Sequence, residues 1–269
     1  MRVDPEVERL RAAYAEYEQN VASCRWDINN PGFREMRNER DRLTLHLLQR
    51  HGLCPLDRLD ILEIGCGEGD NLLRLLSWGA DARRLHGIDL REDAISRAQA
   101  RLPGVDLQVA DARKFSTGPG TMDLVLLHTV FSSILDDQVA KAIAGQITTM
   151  LRPNGMILWY DFFIKNPVNP HTRGISRQDI RGLFPGFDIN LMKTTLFPPI
   201  ARRLGGLTPV LYPALAGFPL LCGHYLGMIS PRGLPAGPAE GRGRKPTWSR
   251  WRPTHEVTDA GQQNAHRSA

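Results

Sequence analysis

The stretch that decides the fold is a run of apolar residues followed by a glycine-rich turn, and it reads Ile61-Leu62-Glu63-Ile64-Gly65-Cys66-Gly67-Glu68-Gly69. The apolar residues predict a buried strand, and the segment at about 69–78 has helical periodicity. Because glycine lacks a Cβ atom, the alternating glycines allow a tight turn and a close approach to a ligand. The helix start offers unpaired N–H groups to an anionic group. The stretch therefore predicts a site for a nucleotide-like or anionic ligand.

Outward from this turn, short apolar runs alternate with helical segments, which is typical of an α/β fold with a parallel sheet and crossover helices. The predicted strands lie at 61–64, 85–89, 106–110, 123–128 and 156–160, and two later strands at 187–196 and 224–229 complete a seven-stranded sheet. The predicted helices cover 69–78, 92–101, 136–151 and 176–184, and two further helices, at about 5–19 and 33–50, precede the first strand.

We expect three parts in the chain: an N-terminal helical cap at 1–52, the α/β domain at 53–230 with an insertion at 197–221, and a disordered basic tail at 231–269. From Pro231 onward seven basic residues stand against three acidic ones, so the tail carries most of the net charge of +5. Because the body is nearly neutral, no nucleic-acid partner is expected.

The predicted location is the cytoplasm. The first ten residues are charged and contain no apolar segment of a signal peptide, and the four cysteines form no CxxC pair. The apolar stretch 206–229 contains Pro209, Pro213 and Pro219, which suits a transmembrane helix poorly, so at most weak association with a membrane surface is expected. Arginine outnumbers lysine 29 to 5, which favours a bacterial source with a GC-rich genome.

Two familiar phosphate-binding loops do not fit the turn. A dinucleotide fingerprint needs glycine or alanine where Asp70 stands, and no Gly-Lys-Ser/Thr follows for a Walker A loop. The whole E-x-G-x-G-x-G form instead resembles the loop of class I S-adenosylmethionine-dependent methyltransferases, in a small-molecule branch similar to methyltransferase type 11. The resemblance implies a Rossmann-like sheet of order 3-2-1-4-5-7-6, with the last strand antiparallel, and the N-terminal helices and the insertion as a lid.

The resemblance also implies which residues hold S-adenosylmethionine. Asp89, at the end of the second strand, stands where the family places an acid on the ribose hydroxyls, and Asp111 stands where it brackets the adenine. The full predicted set is Glu63, Gly65, Cys66, Gly67, Gly69, Asp89, Leu90, Asp111, Ala112 and His128. Two alternatives stay open: Asp89 only caps the helix near Glu92, and Asp111 is only a turn residue.

A fifth-strand signature, Leu151-Arg152-Pro153-Asn154-Gly155, is similar to the family's L-x-P-G-G turn. Because asparagine tolerates left-handed backbone angles, Asn154 is expected to preserve that turn.

His128, at the end of the fourth strand, is the candidate general base for methyl transfer to oxygen, because an imidazole titrates near neutrality. The alternative is that His128 only lines the pocket while positioning does the work. Asp161, after the fifth strand, could assist or replace it. No carboxylate cluster or zinc-like spacing indicates a metal.

The predicted acceptor contacts are Phe197 and Tyr212 of the insertion, with Tyr17 and Trp26 from the opposite side. Ordinary packing of the insertion onto the sheet is the alternative. The residues His128-Thr129-Val130-Phe131 lack the Asn/Asp-Pro-Pro-aromatic element of DNA amino-methyltransferases, so a small-molecule acceptor is expected.

The pairs Asn166-Pro167 and Asn169-Pro170 resemble a bacterial branch that modifies sugars, polysaccharides and natural products. We therefore expect O-methylation of a sugar or natural-product hydroxyl. A non-catalytic nucleotide-binding or assembly protein and an NAD-dependent oxidoreductase are the alternatives.

Overall fold

The structure, a computed structural model, describes residues 4–19, 29–165 and 169–233, with the backbone alone for 17–19. The helices are α1 (Pro5–Gln19), α2 (Pro31–Arg50), α3 (Asp70–Ser77), α4 (Glu92–Arg101), α5 (Asp137–Met150), α6 (Arg177–Leu183), α7 (Pro198–Ala201) and α8 (Thr208–Ala216). The strands are β1 (Ile61–Ile64), β2 (Leu85–Asp89), β3 (Asp106–Val109), β4 (Met122–His128), β5 (Leu151–Phe162), β6 (Phe187–Leu196) and β7 (Cys222–Pro231).

The strands form one seven-stranded sheet of order β3-β2-β1-β4-β5-β7-β6. Strands β1 to β5 pair in parallel, and β7 runs antiparallel between β5 and β6. This confirms the predicted fold class and strand order. Because the order reverses between β1 and β4, a crevice opens at the carboxyl ends of these strands.

The largest departure from the predicted boundaries is at the start of β5, which begins at Leu151. Met122 pairs with Leu151 whereas Leu124 pairs with Met156, so residues of β5 bulge out between the two pairs. A Cβ atom on Gly155 would lie 2.8 Å from the carbonyl oxygen of Met122. Neither Asn154 nor Gly155 has a positive φ, so the left-handed turn predicted at Asn154 is wrong. This glycine is required for close packing of the bulge.

Both faces of the sheet are buried under helices. Helix α5 packs on one face through Ile143 and Ile147. Leu43 of α2, Leu72 of α3 and Ile95 of α4 pack on the other. Each such side chain contributes about 1.5–3 kcal/mol when fully buried. The continuous apolar strands of the sequence are explained by this two-sided burial.

Helix α2 connects the sheet to the insertion. The Asn30 side chain caps its start by accepting the Phe33 N–H at 3.0 Å. A Cβ atom on Gly32 would lie 1.8 Å from the Ala201 carbonyl oxygen, so only glycine fits against α7. Further along, Met36 packs against Tyr212 of α8. Since α2 shares a core with both regions, a separate cap ending at residue 52 stays a prediction.

The insertion at 197–221 is largely helical. Tyr212 and Ala216 of α8 are buried against the body. Its outer side exposes large apolar side chains, namely Leu207, Val210, Phe218 and Leu220. In the described ranges, no helix combines the length and the apolar character that crossing a membrane requires.

Candidate functional site

The glycine-rich turn has the backbone that only glycine adopts easily. Gly65, Gly67 and Gly69 have φ angles of 70°, 54° and 80°. The N–H groups of Gly65 and Cys66 donate to the Ile88 carbonyl oxygen at 2.8 and 3.0 Å. Gly69 starts α3, and a Cβ atom there would lie 2.3 Å from a Leu102 methyl. The turn is therefore held over the ends of β1 and β2.

Asp89 joins this turn to the next one. Its Oδ2 accepts the Gly67 N–H at 2.9 Å, and its Oδ1 accepts the Arg91 N–H at 2.9 Å. The guanidinium of Arg91 lies over the Tyr14 ring, 4.7 Å from its centroid. Asp89 thus braces two loops while remaining on the wall of a cavity.

The inner cavity, about 890 Å³, lies where β1, β2 and β3 end, and α1 covers it. Helix α1 is tied down at its start, because Glu6 accepts the Leu135 N–H at 2.8 Å and Arg113 pairs with Asp4 at 2.6 Å. The wall is mostly apolar, with charged side chains at Glu6, Arg11, Asp89, Arg91, Asp111 and Arg113. Its residues include Leu10, Tyr14, Ile64, Gly65, Gly67, Asp89, Leu90, Ala110, Asp111, Ala112, His128 and Thr129.

Asp111 accepts hydrogen bonds from both the backbone and the guanidinium of Arg113, each at 3.0 Å. Burial acts to raise its pKa, but the hydrogen bonds and charge of Arg113 hold the pKa below its usual range. Arg113 also donates from Nε and Nη2 to Asp111 Oδ2, which makes four contacts to the carboxylate. A carboxylate offers about four acceptor positions, so a ligand donor at Asp111 would have to share or replace one of these contacts.

The outer cavity, about 1230 Å³, lies between α2, β5, β7 and the insertion. Its described wall includes Phe33, Met36, Arg37, Arg40, Cys66, Asn71, Tyr160, Phe162, Pro198 and His224. It shares Gly65, Gly67, Arg91, His128 and Thr129 with the inner cavity. The two cavities therefore meet at the glycine turn and His128.

Glu63 and His128 form a buried pair at this junction. Asn71 donates to Glu63 Oε1 at 2.6 Å, and His128 Nδ1 lies 3.5 Å from the same oxygen. Among the described residues, Glu63 Oε2 and His128 Nδ1 have no hydrogen-bond partner. Burial lowers the pKa of His128, with the Arg40 charge adding to the shift and Glu63 opposing it. The imidazole is therefore neutral near pH 7.

Residues 61–155 match the family model described as a methyltransferase domain. This span holds the glycine turn, Asp89, Asp111 and His128, and the sheet has the strand order expected for that family. Over these residues the chain is similar to the class I S-adenosylmethionine-dependent methyltransferases. S-Adenosylmethionine is the cofactor of this family.

Three similar proteins illustrate the relationship. A probable S-adenosylmethionine-dependent methyltransferase of Mycobacterium tuberculosis is 26% identical over 168 residues, covering 58% of this chain and 55% of the relative. The human tRNA N(3)-cytidine methyltransferase is 29% identical over 111 residues, covering 38% of this chain and 29% of the relative. The chain thus spans about half or less of these relatives' length.

The third is a solved structure, phosphoethanolamine N-methyltransferase 1 of Haemonchus contortus with phosphoethanolamine and S-adenosylhomocysteine. Its TM-score is 0.61 at 15% identity, over 91% of this chain and 52% of that chain. This likeness shows the shared fold.

One observation independent of the family bears on whether the site fits S-adenosylmethionine. Glu63 Oε2 is a fully buried carboxylate oxygen without a partner among the described residues, which is costly unless a ligand donor reaches it. An amino-acid ammonium is such a donor. The left-handed Gly65 and Gly67 place no Cβ atom at the junction of the cavities.

Eight of the ten residues predicted for the cofactor line the cavities, whereas Gly69 and the fully buried Glu63 line neither. The other predicted site residues are scattered. Asp161 lines neither cavity: it is buried and accepts the N–H groups of Ser132 and Phe162 at 3.0 and 2.8 Å. Burial raises the pKa of Asp161 to about 6. Cys66 lines the outer cavity, and burial raises the pKa of its thiol, which rules out a ready thiolate.

The predicted acceptor contacts do not reach the outer cavity where they are described. Phe197 lines neither cavity. The Tyr212 hydroxyl is buried and donates to Glu39 Oε2 at 2.7 Å. Trp26, the Tyr17 side chain and the Asn166-Pro167 pair lie outside the described residues. Within the described ranges, no group of three or more potential ligands is placed to hold a metal ion.

Sequence reasoning missed the residues that form the outer cavity. Arg37 and Arg40 share a face of α2 with Phe33, a helical spacing that was visible in the sequence. Tyr160 and His224 meet only because β7 pairs antiparallel with β5, placing Phe162 opposite His224. That pairing joins residues far apart in the chain, so no local pattern reveals it.

Proposed function

We propose that this chain transfers the methyl group of S-adenosylmethionine to a hydroxyl oxygen of a small molecule, such as a sugar or natural product. The observation that carries the proposal is the meeting of two cavities at the glycine turn and His128. The inner cavity suits an adenosyl group and the outer one an acceptor. Their junction is then the place of transfer.

The residues of the inner cavity have the chemistry that the cofactor requires. Asp89 can accept both ribose hydroxyls, and Asp111 with Ala112 can bracket the adenine. Glu63 Oε2 can accept from the ammonium group. When bound, S-adenosylmethionine supplies an electrophilic methyl group on a sulfonium centre.

In this proposal His128 takes the acceptor proton. Its Nδ1 faces the Glu63 carboxylate, which favours the tautomer with the proton on Nδ1 and leaves a lone pair on Nε2. As the new oxygen–carbon bond forms and the carbon–sulfur bond breaks, the hydroxyl proton passes to Nε2. Asp161 acts in this proposal only by holding the Ser132 N–H beside the site.

The shape of the outer cavity favours a small acceptor. Aromatic rings of Phe33, Tyr160 and Phe162 line it, and Pro198 of the insertion borders it. Against an NAD-dependent oxidoreductase stands Asp70 at the start of α3, paired with Arg101 at 2.7 Å. A carboxylate there repels a pyrophosphate.

The test has two arms. Thermal shifts compare S-adenosylhomocysteine with NADH, and stabilisation by NADH alone would end the proposal. Transfer of radiolabelled methyl from S-adenosylmethionine is then measured to a panel of hydroxylated small molecules, to tRNA and to DNA. Labelling of a hydroxylated small molecule supports the proposal, labelling of tRNA or DNA alone contradicts the acceptor class, and cofactor binding without transfer to any of them indicates a non-catalytic binding protein.

A further inference from the structure

A buried polar row lies beside the outer cavity and is not used by the mechanism above. The Thr195 hydroxyl lies 3.1 Å from the Tyr160 hydroxyl and 2.6 Å from His224 Nδ1. It also lies 2.8 Å from the carbonyl oxygen of Thr194. Tyr160, Thr195 and His224 are all buried.

Counting protons determines the direction of each of these hydrogen bonds. A threonine hydroxyl has one proton and two lone pairs, and a carbonyl oxygen can only accept. Thr195 must therefore donate to the Thr194 carbonyl, and both Tyr160 and His224 must donate to Thr195. In any other assignment, at least one of the three contacts of the Thr195 hydroxyl would have no proton between its two polar atoms. His224 thus carries its proton on Nδ1 and a lone pair on Nε2.

The backbone at Thr195 supports a functional reason for this arrangement. Thr195 has a φ of 52°, a left-handed conformation that is unfavourable for a β-branched residue. Among the described residues, only Thr129 shares this feature, with a φ of 55°, and it follows His128 directly. His128 is therefore next to a strained threonine in the sequence, and His224 is next to one in space.

His224 presents Nε2 to the outer cavity. Its ring stacks on Tyr160, with centroids 4.6 Å apart, and contacts the Phe162 ring at 4.1 Å. It lines the cavity, and its hydrogen bond to Thr195 is made through Nδ1, which leaves Nε2 on the other side of the ring. Burial, together with the charge of Arg40, lowers the pKa of His224 to about 3, so the ring is a neutral acceptor near pH 7.

We propose that His224 is a specificity-determining residue whose Nε2 accepts a hydrogen bond from a hydroxyl or N–H group of the methyl acceptor. Strand β5 separates β7 from β4, so His224 lies about 10 Å, two strand spacings, from His128 along the sheet. The acceptor is then a small molecule with at least two hydrogen-bond donors, one methylated at His128 and one bound at His224. This rests on the proposed function in taking the outer cavity as the acceptor site.

The first experiment reads the tautomer directly, by long-range ¹H–¹⁵N NMR of the histidine-labelled full chain. The expected result is a His224 ring with the proton on Nδ1, and a shift toward the other tautomer in Thr195→Val. Thr129→Val is the matched control, because it has the same backbone conformation and leaves the Thr195 contacts intact. A wild-type ring protonated on Nε2 would overturn the proposal.

The second experiment uses phenol and anisole, which have similar shapes, but only phenol has a hydroxyl group that can donate a hydrogen bond. Phenol should move the His224 Nε2 resonance, and anisole should not. His224→Gln, which retains an acceptor, should bind phenol within about twofold of wild type, and His224→Phe roughly two- to tenfold more weakly, the range for one neutral hydrogen bond. No response to phenol, an equal response to anisole, or equal affinities of the two variants contradicts the proposal.

Neither experiment depends on turnover. If S-adenosylhomocysteine fails to bind while the His224 results are as expected, the proposed function fails alone. If S-adenosylhomocysteine binds but the His224 experiments do not give the expected results, the specificity assignment fails alone. Thermal unfolding of each variant separates loss of fold from loss of the contact.

Discussion

The two cavities are built in different ways. The inner cavity takes Asp89 from the end of β2 and Asp111 from the turn after β3, and α1 covers it. The outer cavity combines α2, the ends of β4 and β5, the start of β7 and the insertion. The aspartates of the inner cavity therefore lie at strand ends, whereas the outer cavity is assembled almost entirely from segments that are distant in the chain. Cofactor recognition and acceptor recognition can consequently be perturbed separately.

The largest effect is expected at the junction. His128→Ala should lower kcat by about 10²- to 10⁴-fold, the range for general acid–base catalysis, with the affinity for S-adenosylhomocysteine nearly unchanged. Steady-state kinetics with an acceptor identified by the labelling panel, together with calorimetry, measure the two quantities. An unchanged kcat would show that positioning alone drives the transfer.

The same histidine predicts a pH dependence. Burial lowers the pKa of His128, and only the neutral ring accepts a proton. The rate should therefore be flat above neutral pH and fall only as the pH drops below the usual histidine value, about 6.5. A fall in rate as the pH rises through 7 to 8 would contradict this assignment.

A smaller effect is expected from the inner cavity alone. Asp89→Ala should weaken S-adenosylhomocysteine binding by roughly ten- to a hundredfold, because charged hydrogen bonds contribute about 1.5–3 kcal/mol. Asp93→Ala, an acid on the exposed first turn of α4, is the matched control and should leave the affinity unchanged. Calorimetric titration distinguishes the two. Equal affinities of the two variants for S-adenosylhomocysteine would mean that Asp89 only holds the two loops together and does not contact the cofactor.

The glycine turn offers a matched pair that separates binding from stability. A Cβ atom at Gly67 would meet only Arg91, at 3.5 Å, and one at Gly52 meets nothing within 4 Å. Both glycines have positive φ angles, so alanine at either should cost about 1–2 kcal/mol of unfolding free energy. Only Gly67→Ala should also weaken S-adenosylhomocysteine binding, by about tenfold, since Gly67 lines both cavities. Equal binding by the two variants would exclude close contact at this turn.

The smallest effect on the site is expected at Asp161. Its pKa is about 6 in the folded chain and about 4 when unfolded, so between these values the folded state binds more protons and stability falls as the pH rises. As the pH rises from about 4 to about 7, the unfolding free energy of Asp161→Asn should therefore increase by about 1–3 kcal/mol relative to that of the wild type. Denaturant unfolding at the two pH values measures this, with Asp57→Asn as the exposed control.

Asp161→Asn should also leave acceptor KM and cofactor affinity unchanged, because Asp161 lines neither cavity. Loss of affinity comparable to that of Asp89→Ala would place Asp161 in the site.

The sheet was predictable because each strand carries its own signal. Buried parallel strands have continuous apolar runs, as at 124–127, and glycines or prolines mark their ends. The start of β5 was missed, since Pro153 and Asn154 read as a turn whereas the bulge opposite Met122 makes them part of the strand. That bulge depends on a partner strand, which local sequence does not contain.

The amino-acid sequence by itself determined the strands, the glycine turn and the strand-end residues of the inner cavity, and the family resemblance implied the strand order. These depend on backbone freedom and on side chains that directly follow strands, and the parallel sheet brings such positions to one edge. Only the tertiary structure showed that Asp161 and Tyr212 are buried away from the cavities, and that Arg40, Tyr160 and His224 line the outer one. The reason is that these side chains are distant in the chain and meet only through packing. Antiparallel pairing of β5 with β7 brings together Tyr160 and His224, which are more than sixty residues apart. Packing of α2 adds Arg40, which is more than a hundred residues from either.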